Sequence, residues 1–198
     1  MTRSTDQRII KTKQKLRLAF ADMMQKMPFD DITVFELCNK AEVRRATFYR
    51  HYTDKYHFLS SLVSTILEEI VERISPLEEI ENPTEYYCSY VREVLSYFRS
   101  HDAIFKNIMA SSSFPAIKDI ILHGTLASFK HDLSRNLGDG IELPARIDIL
   151  SEFLNGGIAH IIISWLTNKD IADEEILGSV RELLSRLVPS VKSAQIMG

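Results

Sequence analysis

Residues Ile32 to Leu59 read ITVFELCNKAEVRRATFYRHYTDKYHFL, and the spacing of their capping, apolar and basic side chains decides the fold. Thr33-Val34-Phe35-Glu36 is a capping box, in which the threonine oxygen and the glutamate each satisfy a backbone donor that the first turn of a helix leaves open. Val34, Leu37, Cys38 and Ala41 then suit one helical face, and that pattern must end near Glu42 because Val43 opens a new one with Phe48 and Tyr52. The result is two short helices and a tight turn, the second helix carrying Arg44, Arg45, Arg50 and His51. A helix-turn-helix is built this way, and its second helix enters the major groove of DNA.

On either side of this stretch the pattern stays helical. A helix is predicted from about Asp6 to Met27, with Ile9, Leu16, Phe20, Met23 and Met27 on one face and Arg8, Lys11, Lys15 and Lys26 mostly elsewhere. A further helix from about Thr53 to Pro76 carries Leu59, Val63, Ile66, Ile70 and Ile74, and at about 1.5 Å per residue it can join two modules mechanically. Proline, polar-cap and glycine boundaries place the remaining helices over roughly Thr84–Ser100, Asp102–Ser111, Pro115–Leu137, Pro144–Thr167 and Asp173–Val188. Pro28, Pro76, Pro83, Pro115, Pro144 and Pro189 all fall where the periodicity breaks, and no run alternates as a hairpin strand would. The expectation is an all-α chain. An N-terminal three-helix helix-turn-helix domain, 1–53, is joined by a connector helix, 54–75, to a C-terminal helical ligand-binding and dimerisation domain within 54–198.

With 198 residues, 45% of them apolar, the chain can bury a sizeable core. Its net charge of −3 is unevenly placed. Residues 1–60 hold twelve Lys and Arg against seven Asp and Glu, net +5, and residues 61–198 hold twelve against twenty, net −8. A basic head before an acidic body supplies the local positive charge that phosphate contact requires. No apolar run is read as approaching the roughly 18 residues that cross a bilayer, and MTRSTDQRIIKTKQK lacks the apolar stretch of a secretory signal, so a soluble cytoplasmic protein without a membrane partner is expected. Cys38 and Cys88 are too few for a disulfide framework and read as buried reduced thiols.

Enzyme signatures are missing from the sequence: no Gly-x-Ser-x-Gly, no phosphate-cradling glycine loop, no His-Glu-x-x-His. His123 and His131, eight apart, are too distant to chelate as a local pair, and Gly138-Asp139-Gly140 reads as a helix C-cap and loop. No enzyme activity, metal or cofactor is therefore expected.

The 32–59 stretch resembles the N-terminal domain of the TetR (TetR/AcrR-type) family of transcriptional regulators. The resemblance rests on the threonine-capped helix, the Ala41-x-Val43 turn, Thr47-Phe48-Tyr49 in the recognition helix and the Tyr52-x-x-Lys55 that follows. Two positions depart from the family pattern. Glu42 stands where glycine is usual, which implies either an altered turn or about 1 kcal/mol of local strain. Arg44 replaces the usual small capping serine and adds a bidentate donor at the end of the helix that enters the groove. By physical role, Arg44 and Arg45 are candidates for guanine edges and Ala46 for a thymine methyl. Thr33, Thr47, Tyr49, His51 and Lys55 resemble the family's phosphate-contacting positions, and Arg50 suits either role. Phe48 and Tyr52, four apart, belong to the core side.

For the body, the resemblance implies a small-molecule effector whose binding tilts the connector helix and changes the spacing of two recognition helices in a homodimer on a palindromic operator. Tyr90, Tyr97, Phe98, Phe105, Met109, His123 and Phe129 would suit an apolar or aromatic effector, and ordinary core packing accounts for each of them as well. The last two helices show apolar faces wider than one stripe, so that Phe153, Gly157, Ile161, Trp165, Val180, Leu184 and Leu187 are candidates for a two-fold interface, or for the centre of a monomeric core. Phe153-x-x-x-Gly157 to Trp165-Leu166 resembles a body subtype in the same family. Two functions remain open: a ligand-responsive repressor, and a TetR-like co-activator or adaptor that acts through a protein partner.

Overall fold

A computed structural model of the chain describes residues 2–74, 83–136, 145–168 and 171–187. Among the described residues the fold is all-α: nine α-helices and one 3-10 turn, without strands. In order these are α1 (Thr2–Met24), the 3-10 turn (Phe29–Asp31), α2 (Val34–Lys40), α3 (Arg45–Tyr49), α4 (Lys55–Ile74), α5 (Pro83–Ser100), α6 (Asp102–Met109), α7 (Phe114–Asn136), α8 (Ile147–Asn168) and α9 (Asp173–Leu187). The predicted helices are present with their ends displaced by a few residues; the 3-10 turn was not anticipated. Pro76, Pro144, Pro189 and the Gly138-Asp139-Gly140 loop lie outside the described residues.

The chain divides into two compact units, and the division is not sequential: residues 1–63 with 101–120 make one, and 64–100 with 121–198 make the other. In the first unit α1 packs on α2 and α6, and α2 on α3. Leu16, Phe20, Met23 and Met24 of α1, Phe29 and Ile32 around the 3-10 turn, Leu37 and Cys38 of α2, and Phe48, Tyr52 and Phe58 are all buried. The aromatic rings interlock: Phe20 meets Phe58 at 5.3 Å and Phe29 at 6.2 Å, and Tyr52 meets Phe48 at 5.3 Å and Phe58 at 5.1 Å. Edge-on and tilted ring pairs of this kind add to area burial and fix orientation, and the tilted pairs of Phe48 with Tyr52 and Phe58 hold the five-residue α3, which could not persist alone.

Residues 101–120 join this unit through side-chain bonds as well as packing. Asn107 Nδ2 donates to the Met24 carbonyl at the end of α1 (2.7 Å). The Asp30 carboxylate accepts from the Ser112 backbone N–H (2.6 Å) and the Ser113 hydroxyl (2.5 Å), and Tyr56 Oη lies 2.9 Å from that same hydroxyl. These bonds hold the Asp30 carboxyl down to about 2, the Ser113 hydroxyl contributing most.

In the second unit α5 packs on α9 and α8. Tyr86, Tyr87, Val91 and Leu95 of α5, Leu150, Leu154, Ile162 and Trp165 of α8, and Ile176, Val180 and Leu184 of α9 form its core. Forked ion pairs stitch the outside: Arg99 to Asp173 (2.6 and 2.7 Å) and Arg181 to Glu85 (2.8 and 3.1 Å), with the Arg99 guanidinium 5.4 Å from the Trp165 ring centroid. Asn155 Nδ2 donates to the Leu122 carbonyl, tying α8 to α7. One expectation is corrected here: Ile147–Thr167 of α8, at mean hydropathy 1.4, is long and apolar enough by composition to cross a bilayer. Its apolar residues outnumber those a single stripe needs, and only some of them are covered within the chain. Cys38 and Cys88 are free and buried, and burial pushes both thiols up.

Candidate nucleic-acid interface

Three local devices set the geometry of α2 and α3. The capping box at Thr33 is complete: its Oγ1 accepts from the Glu36 N–H (3.1 Å), and its own N–H donates to the Glu36 carboxylate (3.2 Å). The threonine hydroxyl also donates to Glu36 Oε2 (2.7 Å), so its proton is engaged within the cap. The turn that follows is closed by Val43 N–H to the Cys38 carbonyl (2.9 Å), and Glu42 takes φ 53° there. Of the two outcomes predicted at Glu42, the structure shows the strained one, a left-handed turn kept without glycine. Lys15 Nζ lies 3.2 Å from the Glu42 carboxylate. Arg44 is the N-cap of α3 with extended backbone (φ −66°, ψ 136°) and no side-chain bond to the helix end, as its chemistry requires, since a guanidinium has nothing to accept with.

The α3 side chains divide cleanly. Phe48 is fully buried, with Tyr52 beside it, while Arg44, Arg45, Ala46, Tyr49 and Arg50 are exposed and Thr47 and His51 are partly covered. Arg45 lies over the Tyr49 ring (5.9 Å to the centroid), which pre-orders both side chains on the open face. Among the described residues, none of Arg44, Arg45 and Arg50 forms an ion pair, so the three guanidinium groups remain available to an anionic partner.

Lys55 is placed differently from its fellow candidates. Its ammonium donates to the carbonyls of Phe29 (2.9 Å), Asp30 (3.1 Å) and Ile32 (3.0 Å) and sits 4.5 Å from the Phe29 ring centroid. All three of its donors therefore serve the 3-10 turn. Asp54, which sequence reasoning passed over, caps α4 by accepting from the N–H groups of Tyr56 and His57, both at 2.8 Å. Its signal was a polar residue just before an apolar run, weakened by Thr53 competing for the same role. Phe35 was also passed over as a site residue; it lies outside the apolar face of Val34, Leu37, Cys38 and Ala41 and is 55% exposed on α2.

The body candidates fall in both units. Tyr90 is buried and Tyr97 and Phe98 half-buried on α5, and His123 is exposed on α7; Phe105 and Met109 sit half-buried on α6 in the first unit, and the Phe129 side chain lies outside those described. Of the interface candidates, Trp165, Val180 and Leu184 are already covered within the second unit. Phe153 is 66% exposed, Gly157 is exposed, and Ile161 and Leu187 are partly covered; a Cβ added at Gly156 or Gly157 would meet nothing within 4 Å.

A helix-turn-helix is a DNA-reading element by its general geometry, and comparison with known proteins narrows the fold. No known family model matches the chain. The chain is similar to an uncharacterized HTH-type transcriptional regulator, YxbF, of Bacillus subtilis, at 31% identity over 96 residues, 48% of this chain and 24% of that one. It is also similar to the nucleoid occlusion factor SlmA of Shewanella, at 27% identity over 89 residues, 45% of each chain. These alignments span less than half of the curated relatives. Among solved structures, a TetR transcriptional regulator from Streptococcus agalactiae superposes with a TM-score of 0.60 at 20% identity, over 93% of this chain and 99% of that one. The chain has the fold of the TetR-family transcriptional regulators.

Proposed function

We propose that the protein is a sequence-specific, DNA-binding transcriptional regulator, acting as a homodimer on a palindromic operator and released from it by a small-molecule effector, in the manner of a repressor. The observation that carries this reading is the division of α3: a buried aromatic side that fixes the helix, and an open side on which Arg45 lies over Tyr49, with Arg44 and Arg50 exposed at its two caps. Exposed guanidinium groups on a rigidly held short helix match guanine edges and phosphates of the major groove, and the +5 charge of residues 1–60 favours approach to a duplex. In this reading Arg44 and Arg45 face bases, Ala46 meets a thymine methyl, Thr47, Tyr49 and His51 position the backbone, and Arg50 suits either role; Thr33, its donors held by Glu36, sets the start of α2 instead. Lys55 serves the head from within, because its donors are engaged by carbonyls.

The two-fold seam is assigned to the stripe of α8 around Phe153, Gly157 and Ile161, and Leu187 of α9 is kept as a candidate for it. A cytoplasmic protein without catalytic chemistry fits this role. A second reading, in which the same DNA-binding head serves an adaptor that acts through a protein partner, is left open by the departures at Glu42 and Arg44.

The test is selection of duplexes from a random pool by the purified protein, followed by affinity measurements across salt. A palindrome should emerge, with a steep salt slope from phosphate contacts. Arg45→Ala should relax its sequence at one position, at a cost of about 1–3 kcal/mol, and Tyr49→Phe should weaken binding without changing preference. Enrichment of no duplex at any salt would remove direct operator reading and leave the adaptor.

A further inference from the structure

The phenyl ring of Phe35 on α2 is 55% exposed. Successive helical residues turn by about 100°, so on α2 Phe35 and Lys40 occupy opposite flanks of the buried stripe formed by Leu37 and Cys38. The Lys40 flank faces α1, where its ammonium pairs with Asp22 (2.5 Å). The Phe35 flank therefore turns toward α3. Two observations agree: the Cys38 carbonyl, one turn on from Phe35, accepts the N–H of Val43 just before α3, and the Arg45 guanidinium acts electrostatically on the Cys38 thiol. Phe35 at 55% exposure, Arg45, and Tyr49 at 48% exposure are thus inferred to border a common face, with Arg45 lying over the Tyr49 ring.

We propose that Phe35 is a specificity-determining residue whose ring lies against a thymine C5 methyl at the edge of the half-site that Arg45 enters. The inference rests on the DNA-reading function proposed above and assigns part of its sequence preference. The chemistry is specific, because thymine alone places an apolar methyl in the major groove, and an uncharged ring can read it without disturbing the neighbouring arginine–guanine pair. A phenyl ring has no polar group for a phosphate, so it contributes discrimination rather than salt-dependent affinity.

The experiment uses the full-length protein. Duplexes are selected from a random pool by the wild type, and each thymine in the preferred duplex is then replaced in turn by deoxyuridine, which deletes only the methyl and preserves pairing. At one outer position of each half-site the wild type should bind the deoxyuridine duplex about fourfold more weakly, the value of one buried methyl-sized group. Phe35→Ala should bind the two duplexes equally and keep the wild-type salt slope, and Phe35→Leu should restore part of the difference. Because the ring is exposed, both variants should melt with the wild type. Equal binding of both duplexes by the wild type at every thymine overturns the inference, as does a difference that persists in Phe35→Ala; in either case operator reading by Arg45 stands. If the wild type enriches no duplex, the function proposed above falls and this inference with it.

Discussion

Glu42 illustrates how a single side chain sets the local energy of the head without altering its shape. A residue with a Cβ at φ 53° crowds its own backbone, and the Lys15 contact on offer is an exposed ion pair worth little. Glu42→Gly should raise stability by up to about 1 kcal/mol, equivalent to a melting temperature about 2–4 °C higher for a chain of this length. Calorimetry on both proteins checks this, and an unchanged or lower melting temperature would mean that the turn is not strained. The substitution also tests whether the acidic side chain tempers DNA binding, since it removes one negative charge beside the recognition helix. Much of the residue-level chemistry was legible in advance: the Thr33 cap, the core placement of Phe48 and Tyr52, and the left-handed position. Lys55 was not, because a lysine that binds three carbonyls and one that binds a phosphate look identical in sequence.

At the scale of elements, two joints hold α4 and the α6–α7 turn to the Phe29–Asp31 turn, and each makes a separable prediction. Lys55 serves three partly buried carbonyls, so Lys55→Ala should destabilise the protein by about 2 kcal/mol, within the range for charge-assisted bonds. A lysine that served phosphate alone would leave the melting temperature untouched and reduce only the salt slope of DNA binding. The Asp30 joint makes a pH prediction. Its carboxyl is held down to about 2 in the folded chain against an ordinary value of 3.8, so its stabilising effect is present above about pH 4 and is lost as pH falls toward 2. Asp30→Asn should lower the melting temperature at neutral pH and flatten its decline across that acid window; a parallel decline in both proteins would show that Asp30 does not contribute. The helices themselves were readable from spacing and prolines. The 3-10 turn was not, since three residues give no periodicity, and its form depends on Lys55 and the serine turn, contributed from elsewhere in the chain.

At the scale of the whole molecule, the apolar surface left over on α8 carries the prediction. Ile149 and Phe153 are 57% and 66% exposed, and two glycines leave open space beside them. Large apolar side chains grouped with such an approach surface favour a two-fold partner. Phe153→Glu should leave helix content unchanged, because most of the side chain is open to solvent, yet shift sedimentation of the proposed dimer to monomer and cost most of the operator affinity. A variant that still sediments as a dimer would place the seam elsewhere. Membership of residues 101–120 in the first unit adds a second point: α4 and α7 each contribute residues to both units.

What the sequence determined by itself was local: helix positions, caps, the basic head and acidic body, and the helix-turn-helix, because each depends on residues within a turn or two of one another or on summed charge. What only the tertiary structure decided was which of several equivalent side chains does which task. Trp165, Val180 and Leu184 are core while Phe153 is surface, Lys55 is a strut while Arg45 is open, and Phe35, outside the apolar face of α2, is left exposed. Those choices follow from burial against segments far away in the chain, and periodicity along one helix reports that a face is apolar without naming what covers it.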